Sequence, residues 1–239
     1  MSDRESIEFD VLLERIAENE QWTIASKESA LEQCIYLFVE GESEEAAFRI
    51  ILEEGLGIKF EEYGVVIANY NGIGNLKNTI RLMNQTLSHS RPMIFTFDDD
   101  NKSLISKIVN LPCNVHLFKV PNKPVVTLPN GDKGGSFEES FEANDFIDAC
   151  FETTLLKINP QIPKSEFANL FSARKSFYPQ IVNFLKSKGM SSYLPNKIEI
   201  AESMATSCIA EPETYVKLAE LIKTIRLDNP VNVIYRQAG

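Results

Sequence analysis

The sequence lacks several features that would each point to a particular class of protein. No apolar run approaches the roughly 20 residues that a transmembrane helix needs, and residues 1–10 lack the charge and apolar order of a signal peptide. There are only two histidines, and no cysteines lie close enough in sequence to form a zinc or redox motif; the four are Cys34, Cys113, Cys150 and Cys208. We therefore expect a cytoplasmic protein with reduced cysteines and no membrane contact.

Basic residues are in the minority. The 239 residues include 24 Lys and Arg against 34 Asp and Glu, a net charge of −10, while a hydrophobic content of 44% is typical of a globular chain. Because Lys and Arg supply most of the non-specific affinity for nucleic acid, this balance argues against a broad basic surface. Any nucleic acid must be bound locally or with the help of a partner. The sequence also contains no Gly-x-x-x-x-Gly-Lys-Ser/Thr loop for ATP.

Acidic side chains follow two apolar segments directly. Residues 35–39 are β-branched and aromatic and lead into Glu40 and Gly41, after which a helical pattern begins at Glu44. Residues 92–97 form a second such segment, followed by the three aspartates 98–100. In open α/β sheets, ligands bind at the carboxyl ends of the strands. With so few histidines, the acids predict a site of oxygen ligands for Mg²⁺ or Mn²⁺.

Strand patterns alternate with helical patterns through the first half of the chain. This alternation predicts an α/β fold, a Rossmann-like and mostly parallel sheet of about four strands flanked by helices. We assign residues 1–32 to a helical lead-in, 33–146 to the catalytic core and 147–239 to a C-terminal helical region. Residues 121–136 form a long Pro- and Gly-rich loop, and loops of this length are often functional. In the helical region we expect a break near Pro179.

These motifs, in this order, resemble a TOPRIM domain, the metal-binding catalytic fold of topoisomerases, primases and the overcoming-lysogenisation-defect (OLD) nucleases. The resemblance covers about residues 33–146. The first motif is a strand ending in Glu-Gly with a further acid four residues on, and the second is a strand ending in Asp-x-Asp. A glycine turn and a Gly-x-x-Glu-like segment complete the OLD-like pattern. The matching segments are Val39–Gly41 with Glu44, Asp98–Asp100, Asn71–Asn75 and Gly134–Glu139.

The resemblance implies a metal-dependent nuclease with named site residues. One or two Mg²⁺ or Mn²⁺ ions would activate the attacking water and stabilise the leaving oxygen. The predicted metal ligands are Glu40, Glu44, Asp98, Asp100 and Glu138. The predicted catalytic residues are Glu40, Asp98, Asp100 and Lys175, with Lys175 stabilising charge on the phosphate.

Each assignment has a structural alternative. The aspartates 98–100 also fit a solvated turn that caps a helix. Glu138 and Glu139 also fit acids in the first turn of a helix, and the pattern does not decide which of them would bind metal. Arg174 and Lys175 are equally undecided, because basic residues that flank an amphipathic helix are common.

The resemblance also implies partners. OLD nucleases are usually fused to an ABC-type ATPase, so we expect this chain to act on DNA or RNA with such an ATPase, as the effector half of an anti-phage defence system. Apolar stripes in the helical region predict a homodimer or partner surface, or simply a larger core; they comprise Phe177, Ile181, Phe184, Leu185, Leu218, Leu221, Ile222 and Ile225. The alternative functions are a non-catalytic or partner-activated TOPRIM module with a regulatory or binding role, and an RNA-processing TOPRIM enzyme.

Overall fold

The computed structural model describes most of the chain after residue 33. The described residues are 34–86, 91–99, 106, 108, 110–123, 125–128, 130–159, 161–208 and 212–230. Two predictions fall outside them: the helical lead-in of residues 1–32, and the position of Asp100.

Four parallel strands form the main sheet. They are β1 (Ile35–Val39), β2 (Val65–Asn69), β3 (Met93–Phe97) and β4 (Val115–Lys119), in the order β2-β1-β3-β4. The two central strands β1 and β3 are almost wholly buried, which explains why all their residues except Thr96 are apolar or aromatic. The predicted α/β fold is confirmed, and the carboxyl ends of β1 and β3 are neighbours.

Helices cover both faces of the sheet. On one face lie α1 (Glu42–Arg49), its π-helical continuation Ile50–Gly55, and the short α2 (Phe60–Tyr63). On the other lies α3 (Leu76–Thr86), preceded by a 3₁₀ turn at Ile73–Asn75. Alternate residues of each strand feed the two cores, as the two-residue period of a strand requires. Leu37 belongs to the first core, whereas Phe38 belongs to the second and stacks on Phe95 at 4.7 Å.

A small hairpin lies between the sheet and the C-terminal helices. Strands β5 (Val126–Thr127) and β6 (Lys133–Gly134) pair antiparallel within the segment predicted to be a long loop. A 3₁₀ turn at Phe137–Ser140 follows. The Gly-x-x-Glu-like segment therefore begins in the hairpin and continues into this 3₁₀ turn.

Six α-helices follow in the described part of the second half. They are α4 (Ala143–Glu152), α5 (Thr154–Lys157), α6 (Lys164–Leu170), α7 (Phe177–Ser187), α8 (Lys197–Cys208) and α9 (Val216–Asp228), with 3₁₀ turns at Ser191–Tyr193 and Pro212–Tyr215. The predicted break near Pro179 is wrong. The chain leaves the helical conformation between α6 and α7, and Pro179 lies in the first turn of α7, where its missing N–H costs no helical hydrogen bond.

The apolar stripes of these helices complete the core. Phe177, Ile181, Leu218 and Ile222 are fully buried, and they belong to the same apolar cluster as β1 and α1. Burial within the chain accounts for these stripes, so they do not by themselves indicate a partner surface. No helix among the described residues has the length and apolarity to cross a membrane.

Candidate metal centre and active site

Glu40 lies at the carboxyl end of β1, where the chain turns into α1. Its backbone carbonyl accepts a hydrogen bond from the amide of Gly72 at 2.8 Å, and its Oε1 accepts one from the amide of Ile73 at 3.1 Å. Asn71 and Gly72 both have positive φ, of 55° and 95°, which allows this loop to fold back onto the end of β1. The glycine turn after β2 therefore orients the carboxylate of Glu40.

Glu44 is buried one turn further along α1, and only 3% of its surface is exposed. Its Oε2 accepts a hydrogen bond from the amide of Gly41 at 2.8 Å, while its Oε1 is buried with no hydrogen-bond partner among the described residues. Burial, the charge of Glu40 and, to a lesser extent, that of Glu138 raise the pKa of Glu44 to about 8. At neutral pH this carboxyl group therefore carries a proton.

Asp98 and Asp99 point to different surroundings after β3. Asp98 is 7% exposed, and its Oδ2 accepts a hydrogen bond from the amide of Phe137 at 3.1 Å. The interpretation of Asp98 as part of a solvated turn is therefore wrong, since its carboxylate is buried. Asp99 instead lies 3.5 Å from the ammonium of Lys119.

Glu138 and Glu139 have different roles in the 3₁₀ turn. Glu139 is fully buried and accepts hydrogen bonds from the amides of Ser136 and Phe177 at 2.6 and 2.5 Å. These bonds cap the turn and fasten it to the start of α7. Glu138 accepts a hydrogen bond from the Ser136 hydroxyl at 2.7 Å, and its Oε1 lies 3.3 Å from Lys197 Nζ. The structure therefore assigns Glu139 to the framework and leaves Glu138 to the site.

Lys197 contacts the acids of this site, although it is not among the residues predicted from the sequence. It is the first residue of α8, and its ammonium lies 4.4 Å from the ring centre of Tyr178. Burial lowers the pKa of Lys197, but the charge and hydrogen bond of Glu138 outweigh that effect and raise it overall, with a smaller contribution from Asp98. Lys197 therefore stays protonated. A lysine at the start of a helix opposes the helix dipole, and this was a signal available in the sequence.

Lys175 and Arg174, the predicted basic residues, lie elsewhere. Both are exposed, and neither lines the cavity that contains the acids. Their backbone extends the small hairpin instead: the amide of Thr127 donates a hydrogen bond to the carbonyl of Arg174 at 2.9 Å.

The acids and Lys197 share one cavity of about 790 Å³. Three segments of the chain and the start of α8 supply its charged lining; these residues are Glu40, Glu42, Glu44, Asp98, Glu138 and Lys197. Of the predicted site residues, the structure brings together Glu40, Glu44, Asp98 and Glu138. Within the described ranges, no three Asp, Glu, His or Cys side chains are already arranged as a metal-binding group.

The comparisons with known proteins identify the first part of this fold. Residues 35–100 match the family model described as "Overcoming lysogenization defect protein-like, TOPRIM domain". This part of the chain is similar to the TOPRIM domain of OLD-like proteins. The match includes Glu40, Glu44 and Asp98, whereas Glu138 and Lys197 follow the TOPRIM match in sequence.

Similar solved structures extend beyond the TOPRIM match. The C-terminal region of the Xanthomonas campestris pv. campestris OLD protein aligns over 81% of this chain and 96% of its own, with 14% identity and a TM-score of 0.45. That of the Burkholderia pseudomallei OLD protein aligns over 79% of this chain and 96% of its own, with 13% identity and a TM-score of 0.41. A search of curated proteins gave no match.

Proposed function

We propose that this protein is a metal-dependent nuclease that hydrolyses phosphodiester bonds in nucleic acid, with Mg²⁺ or Mn²⁺ as its cofactor. One observation carries the proposal: carboxylates from β1, α1, β3 and the 3₁₀ turn meet in one cavity beside a protonated lysine. The OLD-like TOPRIM match supports a nuclease-type activity. An acidic cavity of this kind would repel a phosphodiester unless a cation were bound between them.

The residues of the cavity fit a hard divalent cation. All the negatively charged groups are carboxylates, the ligands that Mg²⁺ and Mn²⁺ prefer. Glu44 provides a direct sign of a missing positive charge, because it is buried, keeps a proton near neutral pH and leaves Oε1 without a hydrogen-bond partner in the described part of the chain. A cation would replace that proton, and Oε1 would then bind the cation as a ligand.

We propose that Glu40, Glu44, Asp98 and Glu138 hold the metal, together with Asp100, which lies outside the described residues. When bound, the metal would supply the positive charge that activates water and stabilises the developing charge on the phosphate. The chain's own hydrogen bonds hold the ligands in place: Ile73 orients Glu40, Gly41 orients Glu44 and Phe137 orients Asp98. Such fixed partners are typical of metal ligands in proteins.

Lys197 takes the catalytic role that was predicted for Lys175. Its ammonium lies beside Glu138 at the edge of the cavity, where it can contact an oxygen of the phosphate and stabilise charge that develops during cleavage. Tyr178 packs under the ammonium and limits its movement.

We further propose that the nuclease is the effector of an anti-phage defence system and is controlled by a separate ABC-type ATPase. The 239 residues contain no ATP-binding loop motif of their own. A homodimer is also proposed as the working form. The net charge of −10 supports dependence on a partner, because the chain as a whole repels nucleic acid.

Cleavage assays test the proposed function. Supercoiled plasmid DNA and total RNA are incubated with the protein in Mg²⁺, in Mn²⁺ or in EDTA, with and without a candidate ATPase. We expect metal-dependent cleavage that Glu40→Ala abolishes while the circular dichroism spectrum is unchanged. The control is Glu54→Ala, which removes an exposed acid on the continuation of the same helix. Cleavage that persists in EDTA or in Glu40→Ala would overturn the proposal.

A further inference from the structure

Charge is distributed unevenly along this acidic chain. Residues 64–131 contain seven Lys and Arg and only three acids, the aspartates 98–100, whereas the rest of the chain contains 17 Lys and Arg and 31 acids. The acid-poor segment includes α3, β3 and β4. One part of the fold therefore carries positive charge although the protein as a whole is negative.

This segment supplies the face of the sheet opposite the C-terminal helices. Leu76 and Ile80 of α3 pack on Phe38 and Phe95 in a core separate from the one that holds α1 and the C-terminal helices. The exposed residues of α3 consequently form an outer surface of the molecule.

Lys77 and Arg81 are exposed on neighbouring turns of α3 and make no hydrogen bond or ion pair with another described residue. Like charges four residues apart on a helix lower its stability by roughly 0.2–0.5 kcal/mol, so the pair does not serve the fold. Both residues line a groove of about 360 Å³. The groove has an apolar floor and further amide donors, supplied by Ile80, Ile108, Leu111, Pro112, Asn84, Gln85 and Asn110.

The start of α3 lies next to the candidate active site, and the groove begins one helical turn further along the chain. Asn71 and Gly72 line the acidic cavity, and Ile73 donates a hydrogen bond to Glu40. With a rise of 1.5 Å per residue, Lys77 lies about 6 Å and Arg81 about 12 Å along the helix direction from Ile73. Lys77 and Arg81 therefore lie in a row at increasing distance from Ile73. Successive phosphates of one nucleic-acid strand can contact side chains in such a row.

We propose that Lys77 and Arg81 bind the phosphate backbone of the nucleic-acid substrate beside the cleavage site, with the amide side chains of the groove donating further hydrogen bonds. This proposal rests on the proposed nuclease function, because it gives that substrate a path out of the cavity. Charge complementarity favours a polyanion, and amides with an apolar floor accommodate sugar and backbone without reading the base sequence.

The test compares two double variants with equal loss of charge. Lys77→Ala/Arg81→Ala removes the proposed contacts, and Lys186→Ala/Lys223→Ala removes two exposed lysines of α7 and α9 that make no ion pair with a described residue. Binding of a fluorescein-labelled DNA duplex, and of a single-stranded RNA, is measured by anisotropy at several salt concentrations in Ca²⁺. Cleavage by the same variants is measured in Mg²⁺ or Mn²⁺.

The expected result is a smaller salt dependence in the α3 variant. On duplex DNA the slope of log affinity against log salt should become about 2 less steep. The ratio of wild-type affinity to variant affinity should therefore fall about tenfold when the salt concentration is raised fourfold. KM should rise while kcat at saturating substrate is unchanged, and the control should match wild type.

Two results would overturn the inference, and they differ in what they imply for the nuclease. If the α3 variant binds and cleaves like the control, the groove does not contact the substrate and belongs to another partner, such as an acidic protein, while the nuclease function stands. If the wild-type protein neither binds nor cleaves nucleic acid, the inference and the proposed function are both wrong.

Discussion

Binding of a metal to this protein should release a proton from Glu44. Burial and the neighbouring carboxylates Glu40 and Glu138 raise the pKa of Glu44 to about 8, so at pH 7 a proton occupies the group in roughly nine molecules of ten. A cation must displace this proton before Oε1 can become a ligand. The apparent association constant for Mn²⁺ should therefore rise about tenfold between pH 7 and pH 9 and then level off.

Isothermal titration calorimetry at pH 7, in two buffers of different ionisation enthalpy, measures the released proton directly. We expect about one proton per cation in the wild type and none in Glu44→Gln, whose affinity should be weaker and independent of pH. Glu54→Gln is the matched control and should behave as wild type. A wild-type affinity that does not change between pH 7 and pH 9, or equal proton release from Glu44→Gln, would refute the reasoning.

The same proton links pH to the stability of the metal-free protein. The folded chain retains a proton on Glu44 that the unfolded chain releases near the ordinary pKa of 4.5. The stabilisation is therefore complete at low pH and is lost as pH rises towards 8, by about 1.4 kcal/mol per pH unit. Urea unfolding at pH 6 and pH 7.5 should show this loss in the wild type, and a smaller loss in Glu44→Gln.

Three further substitutions, two of them paired with a control variant, separate the site from its framework. Lys197→Met should lower kcat about 10²-fold, whereas Lys175→Met should leave it within a factor of two to three of wild type; equal losses in single-turnover assays would restore Lys175 as a candidate. Glu139→Ala should cost about 2–5 kcal/mol in urea unfolding, because the buried amide of Phe177 and the partly buried amide of Ser136 lose their acceptor, and a neutral effect would contradict its capping role. Gly134→Ala would place a Cβ 1.9 Å from the carbonyl oxygen of Asp99, so it should cost about 1–3 kcal/mol and weaken Mn²⁺ binding. Gly74→Ala, which meets no atom within 4 Å, is its control and should unfold at the same urea concentration or a slightly higher one.

Local patterns were enough to predict the sheet and the acids at its edge. The central strands β1 and β3 are almost entirely apolar, and the parallel arrangement places the residues after them side by side. The positions of Glu40, Glu44 and Asp98 follow from that arrangement and from one helical turn. Hydrogen bonds from Ile73 and Phe137, which the local pattern does not predict, then orient Glu40 and Asp98.

The positions of the other site residues depend on tertiary packing, which local sequence patterns do not predict. Lys197 reaches the cavity because α8 packs on α1 and α4, and no local pattern shows which helix will occupy that position. Glu138 and Glu139 are adjacent in sequence, and the hydrogen bond from Phe177 to Glu139, across 38 positions, distinguishes them. The short hairpin was missed because its strands are only two residues long.

The burial of Tyr215 limits how this protein can be divided. Its ring contacts Phe48 of α1 at 5.1 Å between ring centres, and its hydroxyl lies 2.6 Å from that of Ser140. A protein cut after residue 146 would keep the whole TOPRIM match but lose this ring, α8 and Lys197. The segment that carries the family's motifs is therefore not a portable module. A chimeric protein that contains this segment would also need the C-terminal helices. A chimera joined at the end of the TOPRIM match would have an exposed core and an incomplete site.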